Sequence, residues 1–100
     1  MRSWRLLTNH MYVLLCVARE PNIRVRDIAA AVGITERATQ AILRDLQHAG
    51  VVEARRIGRR NEYKVLEHAR FPHPLLEHSE IGPVLQVLNR LLAASPASQS

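Results

Sequence analysis

The sequence predicts one mainly α-helical domain with a single small β-hairpin, in the order α-α-α-β-β-α. Three observations predict it: four segments carry apolar residues at helical spacing, a glycine separates the second from the third, and two short strands flank a Gly-Arg-Arg-Asn tip. The length of 100 residues, 47% of them apolar, suits one domain with its own core. We expect a single domain over 1–100, divided into a core at 7–66, a linker at 67–80, a helix at 81–94 and a tail at 95–100.

Composition excludes several classes of protein. No apolar run approaches the roughly 20 residues that span a bilayer, so we expect no membrane partner. A single cysteine rules out an intramolecular disulfide framework and fits a reducing cytoplasm. The net charge is +5, and 13 of the 14 basic residues are arginine. Arginine forms forked hydrogen bonds to phosphates and guanines, although a GC-rich genome also favours arginine codons.

The first predicted helix begins after Thr8, a suitable N-cap, and ends before Pro21. One face carries apolar residues at helical spacing: Leu7, Met11, Leu14, Leu15 and Ala18. Apolar residues also lie off that face: Tyr12, Val13, Cys16 and Val17. A helix that is apolar nearly all round is buried on more than one side, and we expect the second side to meet another subunit.

The next segments have the pattern of a helix-turn-helix. A loop over 22–25 leads into a short helix over 26–32, which Gly33 ends by allowing a positive φ. Ile34 is expected to be buried, Thr35 to cap a second helix over 36–49, and Gly50 to end that helix. Small or apolar residues occupy the positions where the two helices must approach closely: Ile28, Ala29, Val32, Gly33, Ile34 and Ile42.

The second of these helices has two distinct faces. The inner face is predicted to hold Ala38, Ile42, Leu46 and Ala49, with Leu43 at its edge. The candidate DNA-contacting residues lie opposite or at the N-terminus: Thr35, Glu36, Arg37, Gln40, Ala41 and Arg44. A recognition helix presents its N-terminal half to the major groove, where arginine pairs with guanine, glutamine with adenine and alanine with a thymine methyl. Taken alone, the same pattern also describes an ordinary solvated helix face.

Two strands over 51–57 and 62–66 are predicted, joined by a tip over 58–61. Residues 51–66 contain five basic and two acidic side chains, a net charge of +3, whereas residues 67–100 contain two basic and three acidic ones, a net charge of −1. The candidate DNA contacts of this hairpin are Arg55, Arg56, Arg59, Arg60 and Asn61. Arginines at a hairpin tip reach phosphates or a narrow minor groove, and charged tips also discourage strand aggregation.

The last helix opens at Gly82-Pro83, with proline at its first position. Six apolar residues give it a broad face: Val84, Leu85, Val87, Leu88, Leu91 and Leu92. Gln86, Asn89 and Arg90 are predicted to lie opposite. We expect this helix to pair with the first helix of a second subunit, through Val13, Cys16, Val17, Val84, Leu85, Leu88, Leu91 and Leu92.

Other chemistry is not indicated. His68, His73 and His78 recur every five residues among prolines, a spacing that fits a solvated loop better than a zinc site. Cys16 is expected to be a packed thiol rather than a redox switch. The sequence shows no nucleophilic triad, paired carboxylates or glycine-rich phosphate loop, so we expect no catalysis, no metal and no cofactor.

Two runs carry a resemblance to a known group of proteins. Residues 45–52 followed by 55–63 resemble the wing of bacterial ArsR-type and MarR-type repressors, and residues 26–29 through 33–35 resemble their helix-turn-helix. The resemblance covers 7–66 and implies a winged helix-turn-helix in a dimeric, DNA-binding regulator. The thiol pair of many metal-sensing members and the His/Asp pattern on their last helix are absent, so metal sensing is not implied.

The expected function is therefore a cytoplasmic, homodimeric regulator of transcription, acting as a repressor that binds double-stranded DNA sequence-specifically. The effector, the operator and the regulated genes are not indicated by the sequence. An alternative is a winged-helix protein–protein interaction module that does not bind DNA, because fold does not fix function. The arginine cluster of the hairpin favours DNA, since an interaction module has no need of it.

Overall fold

The computed structural model describes residues 6–94 and shows the predicted order of elements. They are α1 (Asn9–Arg19), α2 (Val25–Val32), α3 (Glu36–His48), β1 (Val52–Ile57), β2 (Arg60–Val65) and α4 (Ile81–Ala94). The expected tail at 95–100 lies outside the described residues. Over the described part of the chain, no helix is long and apolar enough to cross a membrane.

Helix α1 lies at the centre of the fold and packs against α2, α3, β2 and α4. The Thr8 hydroxyl caps it by accepting a hydrogen bond from the backbone nitrogen of Met11 at 3.2 Å. Val13 and Val17 have no exposed surface, because the surrounding elements of the same chain cover them. Their interpretation as partner-facing residues was therefore wrong: the second apolar side of α1 is buried within the protomer.

The turn between α2 and α3 depends on one glycine. Gly33 adopts φ 86°, and its N–H and that of Ile34 both donate to the carbonyl of Ala29, at 2.8 and 3.0 Å. This left-handed C-cap ends α2 and redirects the chain into α3. Helix α2 begins at Val25, one residue before the expected start, and Ile34 is only partly buried against the core.

Substitution of Gly33 tests this turn. Because a Cβ disfavours a left-handed backbone, Gly33→Ala is expected to lower the free energy of unfolding by about 1 kcal/mol. Gly33→Asn is the matched control: asparagine tolerates this conformation, so it should retain most of the lost stability. Urea unfolding monitored by circular dichroism measures both. Equal losses in the two variants would contradict the backbone explanation.

Helix α3 is capped by Thr35, whose hydroxyl accepts from the backbone nitrogen of Ala38 at 3.0 Å. Its buried face differs in detail from the predicted one. Thr39 is completely buried and satisfies its hydroxyl by donating to the carbonyl of Thr35 at 2.9 Å, so a polar residue occupies the inner face. Leu43 is as buried as Ile42 and Leu46, whereas Ala49 is exposed because α3 ends at His48.

The hairpin of β1 and β2 is antiparallel and places Val52 opposite Val65 and Ile57 opposite Arg60. Its turn contains only two residues, Gly58 and Arg59, with φ 62° at the glycine. The expected four-residue tip was wrong, since Arg60 and Asn61 belong to β2. A glycine at the first position of a two-residue turn matches the twist of the strands, so the ladder continues to the turn.

The segment between β2 and α4, expected to be a linker at 67–80, is held against the domain by backbone hydrogen bonds. Arg70 pairs with Glu80 in an isolated bridge. The N–H of Ile81 donates to Ala69 and that of Gly82 to Glu67, each at 2.9 Å. A Cβ on Gly82 would lie 3.1 Å from the Cβ and carbonyl oxygen of Glu67, so a residue without a side chain suits this contact.

Helix α4 packs its inner side against α1 and leaves an apolar stripe on its outer side. Ile81 and Leu85 are buried, and Leu88 and Leu92 are partly buried against the core. The placement of Leu85 on a partner-facing surface was therefore wrong, and so was that of Asn89 on the polar side, since Asn89 is half-buried. The stripe that remains in solvent consists of Val84, Val87 and Leu91, with exposed fractions of 36%, 45% and 62%.

Candidate nucleic-acid interface

The N-terminal half of α3 exposes the side chains expected to read DNA. Arg37, Gln40, Ala41 and Arg44 all lie in solvent, while Ile42, Leu43 and Leu46 anchor the opposite face in the core. Thr35 and Glu36 are also exposed, and the Thr35 hydroxyl is engaged in capping. The buried side fixes the rotation of the helix, so the exposed side presents two guanidinium groups, an amide and a methyl in a set orientation.

The hairpin concentrates its unopposed positive charge near the turn. The register places Glu53 opposite Lys64 and Arg55 opposite Glu62, so acidic and basic side chains face each other in the half nearer the core. Beyond them, Arg56 lies opposite Asn61, and Arg59 lies in the turn. No acidic residue faces these arginines across the ladder, and the positive potential is therefore strongest at this end of the hairpin.

The three arginines nearest the turn, Arg56, Arg59 and Arg60, have different surroundings. Arg56 donates from Nε to the carbonyl of Gly58 at 3.1 Å, and Arg60 donates from Nη2 to the carbonyl of Asn22, which ties the hairpin to the loop between α1 and α2. Asn61 donates from Nδ2 to the Tyr63 hydroxyl at 3.5 Å. Within residues 6–94 no hydrogen bond engages the Arg59 guanidinium, which is exposed at the turn. Arg59 is thus the arginine best placed for an external anion.

A basic residue that sequence reasoning did not select lies beside this group. Arg24 lines one shallow cleft together with Arg59 and Arg60. It occupies the N-cap position of α2, is exposed, and makes no capping hydrogen bond with its side chain. The signal available in the sequence was a positive charge in the loop ahead of the helix-turn-helix. Two long-range hydrogen bonds hold that loop beside β2: the Tyr63 N–H donates to the carbonyl of Pro21 at 3.0 Å, and Arg60 donates to the carbonyl of Asn22.

The residues considered for metal or redox chemistry are engaged locally. His68 pairs with Glu80 at 3.2 Å, His78 with Glu77 at 3.7 Å, and Nδ1 of His73 accepts from the Leu75 N–H at 3.1 Å. Within residues 6–94, no three His, Cys, Asp or Glu side chains converge as metal ligands. Cys16 is half-buried, and burial raises the pKa of its thiol, with Arg19 opposing and Glu20 reinforcing the change. The thiol form is therefore favoured, as expected for a packed cysteine.

Comparisons with known proteins address the identity of this arrangement. No curated protein matches the chain. One solved structure that aligns with it is the zinc-dependent MarR family transcriptional regulator AdcR in its Zn(II)-bound state, with 20% identity and a TM-score of 0.49 over 98% of this chain and 69% of that one. Residues 9–53 match a family model described as winged helix-turn-helix DNA-binding. This match spans α1, α2, the Gly33 turn, α3 and the start of the hairpin, so 45 of the 100 residues are similar to winged helix-turn-helix DNA-binding domains, and the order of the elements is that of a winged helix-turn-helix fold.

Proposed function

We propose that this protein is a transcriptional regulator that binds double-stranded DNA sequence-specifically and represses transcription as a homodimer. The observation that carries the proposal is the exposed N-terminal half of α3, whose Arg37, Gln40, Ala41 and Arg44 have the donors, acceptors and methyl group that base edges in the major groove require. The hairpin supplies arginines for the phosphates and fixes the register of the helix on the duplex.

The outer stripe of α4 supports the homodimer. Val84, Val87 and Leu91 follow one another at i, i+3 and i+7 on one side of the helix, and the chain's own core does not cover them. Two copies of this stripe can bury each other about a two-fold axis, because a two-fold interface uses the same surface patch on both subunits. The two recognition helices then face half-sites about 34 Å apart in successive major grooves, and the operator is expected to be pseudo-palindromic.

Selection of bound fragments from a random DNA library tests the proposal. The expected product is a pseudo-palindromic site that binds at least about 1,000-fold more tightly than unrelated DNA at physiological salt. Under this proposal, the protein represses transcription by occupying a promoter. Transcription in vitro from a template that carries the selected site measures this repression. No binding to any duplex across a salt series would favour the alternative of a protein–protein interaction module and overturn the assignment.

The different surroundings of Arg59 and Arg60 lead to a separate prediction. Arg59→Ala is expected to weaken binding to all duplexes and to reduce the slope of log K against log salt by about 1, because one phosphate contact is lost. It should leave the free energy of unfolding unchanged. Arg60→Ala removes the hydrogen bond to Asn22 and should in addition lower that free energy by about 1 kcal/mol. Fluorescence anisotropy at several salt concentrations, together with urea unfolding, separates the two effects.

A further inference from the structure

A cleft of about 210 Å³ lies between the loop that precedes α2 and the turn of the hairpin. Three arginines line it: Arg24 from the loop, Arg59 from the turn and Arg60 from the start of β2. Among residues 6–94, no acidic side chain lines this cleft or forms an ion pair with any of the three. The cleft therefore brings together three positive charges without a compensating negative one, which favours an anionic ligand.

Two hydrogen bonds hold the loop and the hairpin in this arrangement. The Tyr63 N–H donates to the carbonyl of Pro21 at 3.0 Å, and Arg60 donates from Nη2 to the carbonyl of Asn22. Both donors belong to β2 and both acceptors belong to the loop. The backbone that carries Arg24 is therefore held beside the hairpin before any ligand binds, so the cleft is preformed.

Arg24 and Arg59 keep their guanidinium groups available to a ligand. Both side chains are exposed, and within the described part of the chain neither makes a hydrogen bond. No side chain caps α2 either, so N–H groups of its first turn remain able to donate to an anion. Two like charges beside one cleft repel each other, and an anion between them removes that repulsion. The pair is thus suited to hold one anionic group.

The size and the lining of the cleft indicate which anion fits. Its volume is below the roughly 300–1,000 Å³ typical of small-molecule sites, so the cleft suits one part of a larger molecule. Its lining also has an apolar portion, formed by the half-buried Ile23 and Val25 and the buried Tyr63. A deoxyribose has apolar C–H edges and carries a phosphate, so one unit of the DNA backbone offers both kinds of surface.

We propose that this cleft binds one sugar–phosphate unit of the DNA backbone, whose phosphate is contacted by Arg24 and Arg59 together. Arg24 is then a DNA-binding residue outside both α3 and the hairpin. A phosphate held from two elements orients the domain on the duplex and carries no sequence information. The inference rests on the proposed function, because DNA is its ligand.

Arg24→Ala is expected to weaken binding to all duplexes by about tenfold, because a charge-assisted contact to a phosphate is lost. Its free energy of unfolding should stay unchanged, since the side chain makes no hydrogen bond within the protein. Arg26→Ala is the matched control: Arg26 is exposed two residues away but does not line the cleft, so its effect should be clearly smaller. Fluorescence anisotropy measures both. Unchanged affinity in Arg24→Ala, or an equal loss in Arg26→Ala, would overturn the role of the cleft.

Neutral backbone linkages locate the contact. Single methylphosphonate linkages, in which a methyl group replaces a charged phosphate oxygen, are placed at successive positions of the selected duplex. We expect one linkage in each half-site to weaken wild-type binding by about tenfold and to have little further effect on Arg24→Ala. The same linkage should lose its effect on Arg59→Ala, whereas Arg26→Ala should respond as the wild type does. If Arg24→Ala and Arg59→Ala lose sensitivity at different linkages, the two arginines do not share a phosphate and the proposal is wrong.

A soluble phosphate ester has the same anionic group, and competition separates it from the DNA backbone. Deoxyribose 5-phosphate at millimolar concentration and constant ionic strength should not displace the duplex, because it lacks the contacts made by α3. Displacement that disappears in Arg24→Ala would overturn the backbone assignment in favour of a soluble ligand. A protein that binds no duplex would overturn the proposed function together with this inference. Normal binding with no linkage that depends on Arg24 would overturn this inference alone.

Discussion

Leu91→Glu is expected to convert the proposed dimer into a monomer and to lower the affinity for the cognate duplex by at least about a hundredfold. Leu91 is 62% exposed in the protomer and shares with Val84 and Val87 the face of α4 that the core does not cover. In a two-fold interface the substitution brings two carboxylates into an apolar contact, which excludes association. Each monomer then keeps one recognition helix and loses the gain in affinity that comes from linking two of them.

The exposed position of Leu91 makes this experiment interpretable. Leu88 belongs to the same helix but is partly buried against the chain's own core, so a glutamate there would also lower the free energy of unfolding. Ala93→Glu is the matched control, since Ala93 is exposed and lies nearly opposite Leu91 on the helix. It should remain dimeric and bind DNA normally. Sedimentation velocity at micromolar concentration measures the state of each protein, and a monomeric wild type, or a dimeric Leu91→Glu, would contradict the assigned interface.

Gln40→Ala is expected to relax the sequence preference of the protein. The side chain is exposed in the N-terminal half of α3, where a glutamine amide can make two hydrogen bonds to adenine. Its loss should cost about 1–3 kcal/mol on the cognate site and little on unrelated DNA. Arg37→Ala should have an effect of similar size at a guanine, with an added loss of affinity for all sequences because one positive charge is removed.

Gln47→Ala provides the control for this experiment. Gln47 is also exposed and lies on the same side of α3, seven residues towards the C-terminus, where a recognition helix turns away from the base edges. Its replacement should leave the sequence preference unchanged. Anisotropy titrations on the cognate duplex and on duplexes with single base-pair changes measure the discrimination. If Gln40→Ala and Gln47→Ala discriminate equally well, the face of α3 assigned to the major groove is wrong.

Local signals determined the elements themselves. Thr8 and Thr35 cap α1 and α3 as their positions predict, because the capping bond reaches only three residues along the chain. Gly33 takes the positive φ that ends α2. Glycine adopts this backbone conformation readily because it lacks a Cβ, so the identity of this one residue predicts the turn. The exposed face of α3 also followed from spacing, because one side of a short helix must cover the core. These features depend on neighbouring residues, and the sequence contains all of that information.

The tertiary structure alone decided which apolar and basic residues are available to a partner. Val13, Val17 and Val87 are equivalent by residue type, yet the first two are covered by the chain's own elements and the third is in solvent. Arg59 and Arg60 are adjacent, but the carbonyl that engages Arg60 belongs to Asn22, 38 residues away. The segment around Phe71, which the sequence suggests to be a linker, lies against the core, because its position depends on packing with distant residues rather than on a local pattern. The sequence by itself thus determined the helices, the turn and the basic hairpin, whereas burial and long-range contacts, which depend on distant parts of the chain, determined which side chains remain free to bind.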